Sequence, residues 1–269
     1  MENVTIIIPA YNEEKRIAGT LEEYGKFFTN LKKTKKLDSE ILVVINNTHD
    51  LTEEIVKKYR KKYKIIKYLN FKQGGKGFAI MEGFKEALKD KRSGLIGFVD
   101  ADMATGPDAF YDLVKNIGRC DGIIASRYVS DAKVSPKQTW KRVFVSRIFN
   151  FLIRTLFLMP YKDTQCGAKL FKKEVINKIV RHLGMTQWAF DVELLYLIRK
   201  AGFKILEYPT VWADREYSKI NFMKAGPRMA LSIIRLRLIN SVFEPLLKPL
   251  KIIAKFGDWL INRSKKENG

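Results

Sequence analysis

The most constraining feature of the chain is an alternation near its start. Short runs rich in β-branched residues at 4–8, 41–45, 65–69 and 95–99 are separated by helical apolar spacing at 13–31, 52–63 and 77–88. Strand, helix and strand in repeated succession predict an α/β fold with a mostly parallel sheet and helices on both faces. Ligands of such sheets sit beyond the carboxyl ends of the strands. That rule gathers Pro9 to Glu13, Asn46 to Asp50 and Asp100 to Asp102 around one crevice, although they are far apart in sequence. A further strand is expected at 123–126.

The 269 residues, 46% hydrophobic and 12% aromatic, suffice for one large domain with a smaller appendage. We expect a catalytic domain over 1–218 and a helical, basic region over 219–269. The net charge of +21 predicts a polyanionic partner: nucleic acid, an anionic bilayer or a phosphorylated substrate. Two distant cysteines, Cys120 and Cys166, signal neither a disulfide framework nor a zinc site, and a reducing compartment is the simpler reading. The apolar run after Met1 lacks a basic leader and ends in Pro9, so no signal peptide is expected. The longest apolar stretch, 143–159, is interrupted by Arg147 and Arg154 and falls short of the ~20 residues that span a bilayer.

Beyond residue 132 the character changes. Every formal charge from Lys133 to Lys162 is positive, and Trp140, Phe144, Phe149, Phe151 and Phe157 are interleaved with them. An amphipathic helical segment at about 138–160 follows. A second is predicted near the C terminus, where Ile252, Ile253, Phe256, Trp259 and Leu260 share one face. Charge concentrated with large apolar side chains, and no recognised nucleic-acid module, argue against a nucleic-acid partner. Both segments suit a lipid surface, with aromatics at the interface and lysines on headgroups.

Asp100-Ala101-Asp102 follows the fourth strand. Two carboxylates one residue apart at a strand tip can reach a hard cation through oxygen, and a departing diphosphate needs such a cation as Lewis acid. Gly74-Gly75-Lys76-Gly77 opens a helix and offers free N–H groups and a lysine to ribose or phosphate. His49 and His182, the only histidines, carry no expected role.

The string Pro9-Ala10-Tyr11-Asn12-Glu13, the Asp100-Ala101-Asp102 motif and Ser126-Arg127 resemble family 2 glycosyltransferases of the GT-A fold. Asp163-Thr164-Gln165-Cys166-Gly167-Ala168-Lys169-Leu170-Phe171 and Trp188-Ala189-Phe190-Asp191-Val192-Glu193-Leu194-Leu195 are similar to motifs of dolichyl-phosphate β-glucosyltransferases and the wider polyprenyl-phosphate hexose synthases. The resemblance spans about residues 4–221. It implies a Rossmann-like sheet, a nucleotide-sugar donor with UDP-glucose favoured and GDP-mannose possible, a Mg²⁺ or Mn²⁺ cofactor held by Asp100 and Asp102, and a polyprenyl phosphate acceptor. Pro9, Tyr11, Glu13, Asn46, Lys76 and Asp100 then fall in the donor site, and Asp191 on the sugar or acceptor side.

The chain departs from that pattern at strand two, where Ile45-Asn46-Asn47-Thr48 replaces an acidic pair and leaves the donor base open. Met103 stands where a metal-binding Gln is common, which implies fewer protein ligands or more water on the cation. A phosphate acceptor is already dianionic near pH 7, so no general base is required. Two polyanions must be brought together, which calls for arginines on the acceptor: Arg127, Arg142 and Arg147 are the expected set. A hydroxyl acceptor would instead need a carboxylate base, for which Asp191 is the obvious residue. The expected protein is monotopic on the cytoplasmic face of a membrane.

Overall fold

The computed structural model describes residues 3–136, 140–184, 189–213, 231–238 and 240, apart from the side chains of residues 140–142 and 145. Two compact units result, Met1–Ile220 and Asn221–Gly269. In the second, residues 231–238 are helical, with Ile233 and Leu236 buried. Trp188 and the predicted apolar face from Ile252 to Leu260 lie outside the described residues.

The first unit is built on strands β1 (Asn3–Ala10), β2 (Asp38–Asn46), β3 (Ile66–Phe71), β4 (Ser93–Phe98) and β5 (Gly122–Ser126). Helices α1 (Ile17–Lys33), α2 (Thr52–Lys62), α3 (Lys76–Lys89) and α4 (Pro107–Asn116) connect them. Then come β6 (Lys133–Ser135), α5 (Trp140–Phe157), β7 (Lys169–Lys172), α6 (Lys173–Ile179), α7 (Phe190–Lys200), β8 (Ile205–Pro209) and β9 (Val211–Ala213). Among the described residues these strands form a seven-stranded sheet in the order β3-β2-β1-β4-β7-β5-β8 and a small parallel pair, β6-β9.

Every residue of β1 is buried, because a strand between parallel neighbours is covered by helices on both faces; its largely apolar sequence, interrupted only by Asn3 and Thr5, follows from that. Pro9 is tolerated there for a positional reason. Val99 N–H bonds Ile7 O, and β4 ends there, so the N–H that Pro9 lacks would point where the ladder has stopped. On α1, Ile17, Leu21, Tyr24, Phe28 and Leu31 form the buried stripe. The Tyr24 hydroxyl donates to Thr105 O at 2.8 Å, and Thr20 Oγ1 donates to Ala101 O at 2.6 Å. Helix α1 thus pins the loop that follows β4.

One strand breaks the parallel rule, and its direction matters for the site. β7 pairs antiparallel with both β4 and β5, with Lys169 opposite Phe98. Its first residue therefore lies beside the carboxyl end of β4. The preceding loop, Asp163 to Ala168, arrives at the same edge as the Asp100 loop.

Candidate active site

The crevice loops interlock through their backbones. Asn12 N–H donates to Thr48 Oγ1 at 3.3 Å, Glu13 N–H to Thr52 Oγ1 at 2.8 Å, Glu14 N–H to Asp50 Oδ2 at 3.1 Å, and His49 N–H to Asn12 Oδ1 at 2.9 Å. These bonds join loops about 36 residues apart. Burial works against the charge on Asp50, but hydrogen bonds from Thr52 and from the Glu14 amide outweigh it and hold its carboxyl below the usual range. Asn12, Asn47 and Met103 all have positive φ, one in each strand-end loop. For the two asparagines this conformation is mild; for Met103 it stores strain next to the carboxylate pair.

Asp100 and Asp102 sit at the centre. The Lys76 ammonium, at the start of α3, lies 2.7 Å from Asp100 Oδ1 and 3.8 Å from Asp191 Oδ2. Burial pushes the Asp100 carboxyl up, reinforced by Asp102 and Asp191 and only partly countered by Lys76. Burial likewise opposes the charge on Lys76, but the three carboxylates outweigh it and raise its proton affinity. Asp102 Oδ1 accepts Ala104 N–H at 3.0 Å, while Arg16 stands 4.0 Å from Oδ2 and pairs with Glu13. Asp191, in the first turn of α7, accepts from Lys169 Nζ at 2.6 Å. The Lys169 ammonium is fully buried and also bonds Cys166 O. Four carboxylates (Glu13, Asp100, Asp102, Asp191) thus face three cations (Arg16, Lys76, Lys169), a local acidic excess in a chain of net charge +21.

Gly167 sets the position of Asp100. A Cβ added there would overlap the Asp100 carboxylate, so only glycine lets that side chain lie against the Asp163 to Ala168 loop. Gly167→Ala is expected to displace the carboxylate and lower turnover by about a hundredfold with an unchanged unfolding midpoint, as read by kinetics and thermal denaturation.

Among the described residues no three His, Cys, Asp or Glu side chains converge into a ready-made metal cage. The residues present nevertheless fit a hard cation that brings other ligands of its own. Asp100 and Asp102 are oxygen donors 35% and 30% exposed, Gly167 leaves a cradle for one of them, and a lysine ammonium already stands in at the oxygen of Asp100.

Tyr11 is half exposed on the loop after β1, and Pro9 is buried within β1. Asn46 is 1% exposed; its amide donates to Ala10 O and accepts Gly75 N–H, each at 3.0 Å. It braces the loop that opens α3, where Gly75 at φ 125° admits no other residue easily.

Arg127 differs most from expectation. Its guanidinium makes a bidentate pair with Asp163, 2.7 Å from Oδ2 and 2.9 Å from Oδ1, and packs over the rings of Tyr128 and Trp212. Asp163 has no exposed side-chain surface and Arg127 only 12%. Arg127 therefore ties its own loop to the Asp163 loop, and an acceptor phosphate at this position would share the guanidinium with that carboxylate. Arg147 is exposed on α5, 5.8 Å from the Tyr128 ring, with no acidic partner among the described residues. The side chain of Arg142 lies outside them.

Arg16, Asp163, Gly167 and Lys169 are the site residues that motif reading did not single out. Three of them belong to the Asp163 to Phe171 string, and Arg16 is one helical turn beyond Glu13. Those positions were the available signal.

Carboxylates and ammonium groups thus cluster at the carboxyl edge of the parallel strands of a mixed sheet. The model for glycosyl transferase family 2 matches residues 5–180, and the chain belongs to that family. It is 33% identical over 244 residues to the dolichyl-phosphate β-glucosyltransferase of Dictyostelium discoideum, covering 87% of this chain and 73% of that one. To the human protein of the same name it is 30% identical over 261 residues, covering 90% and 78%.

Among solved structures, glucosyl-3-phosphoglycerate synthase from Mycobacterium tuberculosis, in complex with Mn²⁺, UDP and glucosyl-3-phosphoglycerate, superposes with a TM-score of 0.63 at 16% identity, covering 88% of this chain and 80% of that one. A mannosyltransferase from Pyrobaculum calidifontis, in complex with GDP-Man and Mn²⁺, gives 0.59 at 18%, covering 91% and 67%. The shared architecture is the GT-A fold.

Proposed function

We propose that the chain transfers a hexose, with glucose favoured, from a nucleoside-diphosphate sugar to a dolichyl or other polyprenyl phosphate, with inversion. The observation that carries this reading is the acidic excess around Asp100 and Asp102 in a strongly basic chain, taken with kinship to enzymes named for this reaction. A Mg²⁺ or Mn²⁺ ion held by the two carboxylates supplies Lewis-acid stabilisation of the departing diphosphate. Lys76 and Arg16 adjoin that position and can take up phosphate charge. Tyr11 and Glu13 on the β1 loop are assigned to the nucleotide, with Pro9 beneath them. Asp191 is held between Lys169 and Lys76, which suits an electrostatic post better than a proton acceptor and favours a phosphate nucleophile over a hydroxyl.

The acceptor's tail stays in a bilayer, and α5 suits that contact. Phe144, Ile148, Phe151 and Leu158 form an exposed stripe, 52–75% accessible, with Arg147 and Arg154 beside it. No described helix is long and apolar enough to cross a membrane. We assign the protein to a membrane surface, on the cytoplasmic face, where its two free cysteines, Cys120 and Cys166, stay reduced. Arg147 is assigned to the acceptor phosphate, with Arg142 as its neighbour on the same helix. Replacing Phe144 and Phe151 together by serine is expected to lower co-flotation with anionic vesicles at least about tenfold, given ~1.5–3 kcal/mol for each phenyl ring. Equal flotation of variant and parent would remove α5 from the membrane contact.

The decisive experiment incubates the protein, Mg²⁺ or Mn²⁺ and dolichyl phosphate with UDP-glucose, GDP-mannose and related donors. A charged lipid-linked glucose from UDP-glucose is the expected product. Mannose transfer would reassign the donor, and transfer only to hydroxyl-bearing acceptors would overturn the phosphate reading.

A further inference from the structure

We propose that Lys76 is the resident counter-ion of Asp100 in the donor-free protein, keeping a divalent cation off that carboxylate until a nucleoside diphosphate draws the ammonium away. The inference rests on the donor and metal reading above and adds to it an order of events and a residue that enforces it.

Three observations carry it. The ammonium sits 2.7 Å from Asp100 Oδ1, in ion-pair contact with one of the two carboxylates of the proposed metal site. Its backbone is fixed, because Lys76 begins α3 directly after Gly75, whose N–H is held by the buried Asn46. Its side chain is 38% exposed, and a second carboxylate, Asp191 Oδ2, stands 3.8 Å from the ammonium. The ammonium can therefore leave Asp100 without leaving the crevice.

Charge decides when it leaves. A divalent cation entering alone would add two positive charges to Arg16, Lys76 and Lys169, five against four carboxylates, and would repel an ammonium at contact distance. A diphosphate reverses that balance and offers Lys76 phosphate oxygens. Metal and nucleotide thus bind this site together, and Lys76 makes each depend on the other.

The test is a Mn²⁺ titration of the full chain, followed by the loss of the free-ion electron paramagnetic resonance signal, with and without UDP. The parent should bind Mn²⁺ weakly alone and much more tightly with UDP. Lys76→Met should bind Mn²⁺ alone at least about tenfold more tightly and gain less from UDP, while Lys76→Arg should behave as the parent does. Lys76→Gln repeats the measurement should the methionine variant fail to fold. If the parent binds Mn²⁺ with UDP but neither neutral variant binds it more tightly alone, the counter-ion role is wrong and the donor site stands. If the parent binds no Mn²⁺ with UDP or GDP, the metal reading itself fails, and this inference with it.

Discussion

Alanine at both Asp100 and Asp102 is expected to reduce glycosyl transfer by about a thousandfold or more while leaving the fold as stable as before, or slightly more so. On the proposed assignment the loss follows from removing both oxygen donors that would hold a Lewis acid against the leaving diphosphate, each a transition-state interaction of several kcal/mol. The stability half has a different basis. Burial, reinforced by Asp102 and Asp191, raises the Asp100 carboxyl, so its charge is carried at a cost in the folded protein and deleting it relieves repulsion. Lys76 keeps a partner in Asp191. Turnover measured beside thermal unfolding separates the two effects. Undiminished turnover, or indifference to chelators, would sink the assignment of this pair to a metal.

The second large effect is on stability. Asp163→Asn should lower the unfolding free energy by about 3–5 kcal/mol, a drop of roughly 10 °C in midpoint, because it leaves the Arg127 guanidinium enclosed without its counter-charge. Asp163 has no exposed side-chain surface, so solvent screening does not reduce the figure. Burial alone would raise its carboxyl, but Arg127 reverses the shift through its charge and hydrogen bonds and leaves the group below the usual carboxylate range. A depressed folded value means the contribution is present above the unfolded pKa of ~3.9 and is lost as pH falls through the lower folded value. Acid unfolding below about pH 4 should therefore be steeper in the parent than in Asp163→Asn. Equal midpoints at pH 7 would show that the pair does not anchor the loop.

Both expectations concern residues on loops that neighbour one sheet edge, yet the sequence made them unequally legible. Asp100 and Asp102 stand directly after an apolar strand, so motif and position coincide. Arg127 also follows a strand, β5, and on that ground it was expected to face the acceptor; nothing local distinguishes a free arginine from one whose partner is in another loop. The bracing role of Asn46 was hidden in the same way. Its place at the end of β2 is visible in the sequence, but its bonds to Ala10 and Gly75 come from β1 and from the turn before α3.

The parallel strands and their connecting helices were determined by the sequence itself, because alternation, apolar runs and stopping residues such as Pro9 act between near neighbours in the chain. The amphipathic helix at α5 is likewise legible in its sequence, but which aromatics face out is not: Phe144 and Phe151 are exposed, whereas Phe157, read with them, is buried. Only the tertiary structure decided which charges meet. Reversal of β7 brings Gly167 and Lys169 to the tip of β4, and Asp163 reaches Arg127 across 36 residues. Electrostatic energy depends on distance through space and on burial, neither of which residue spacing encodes.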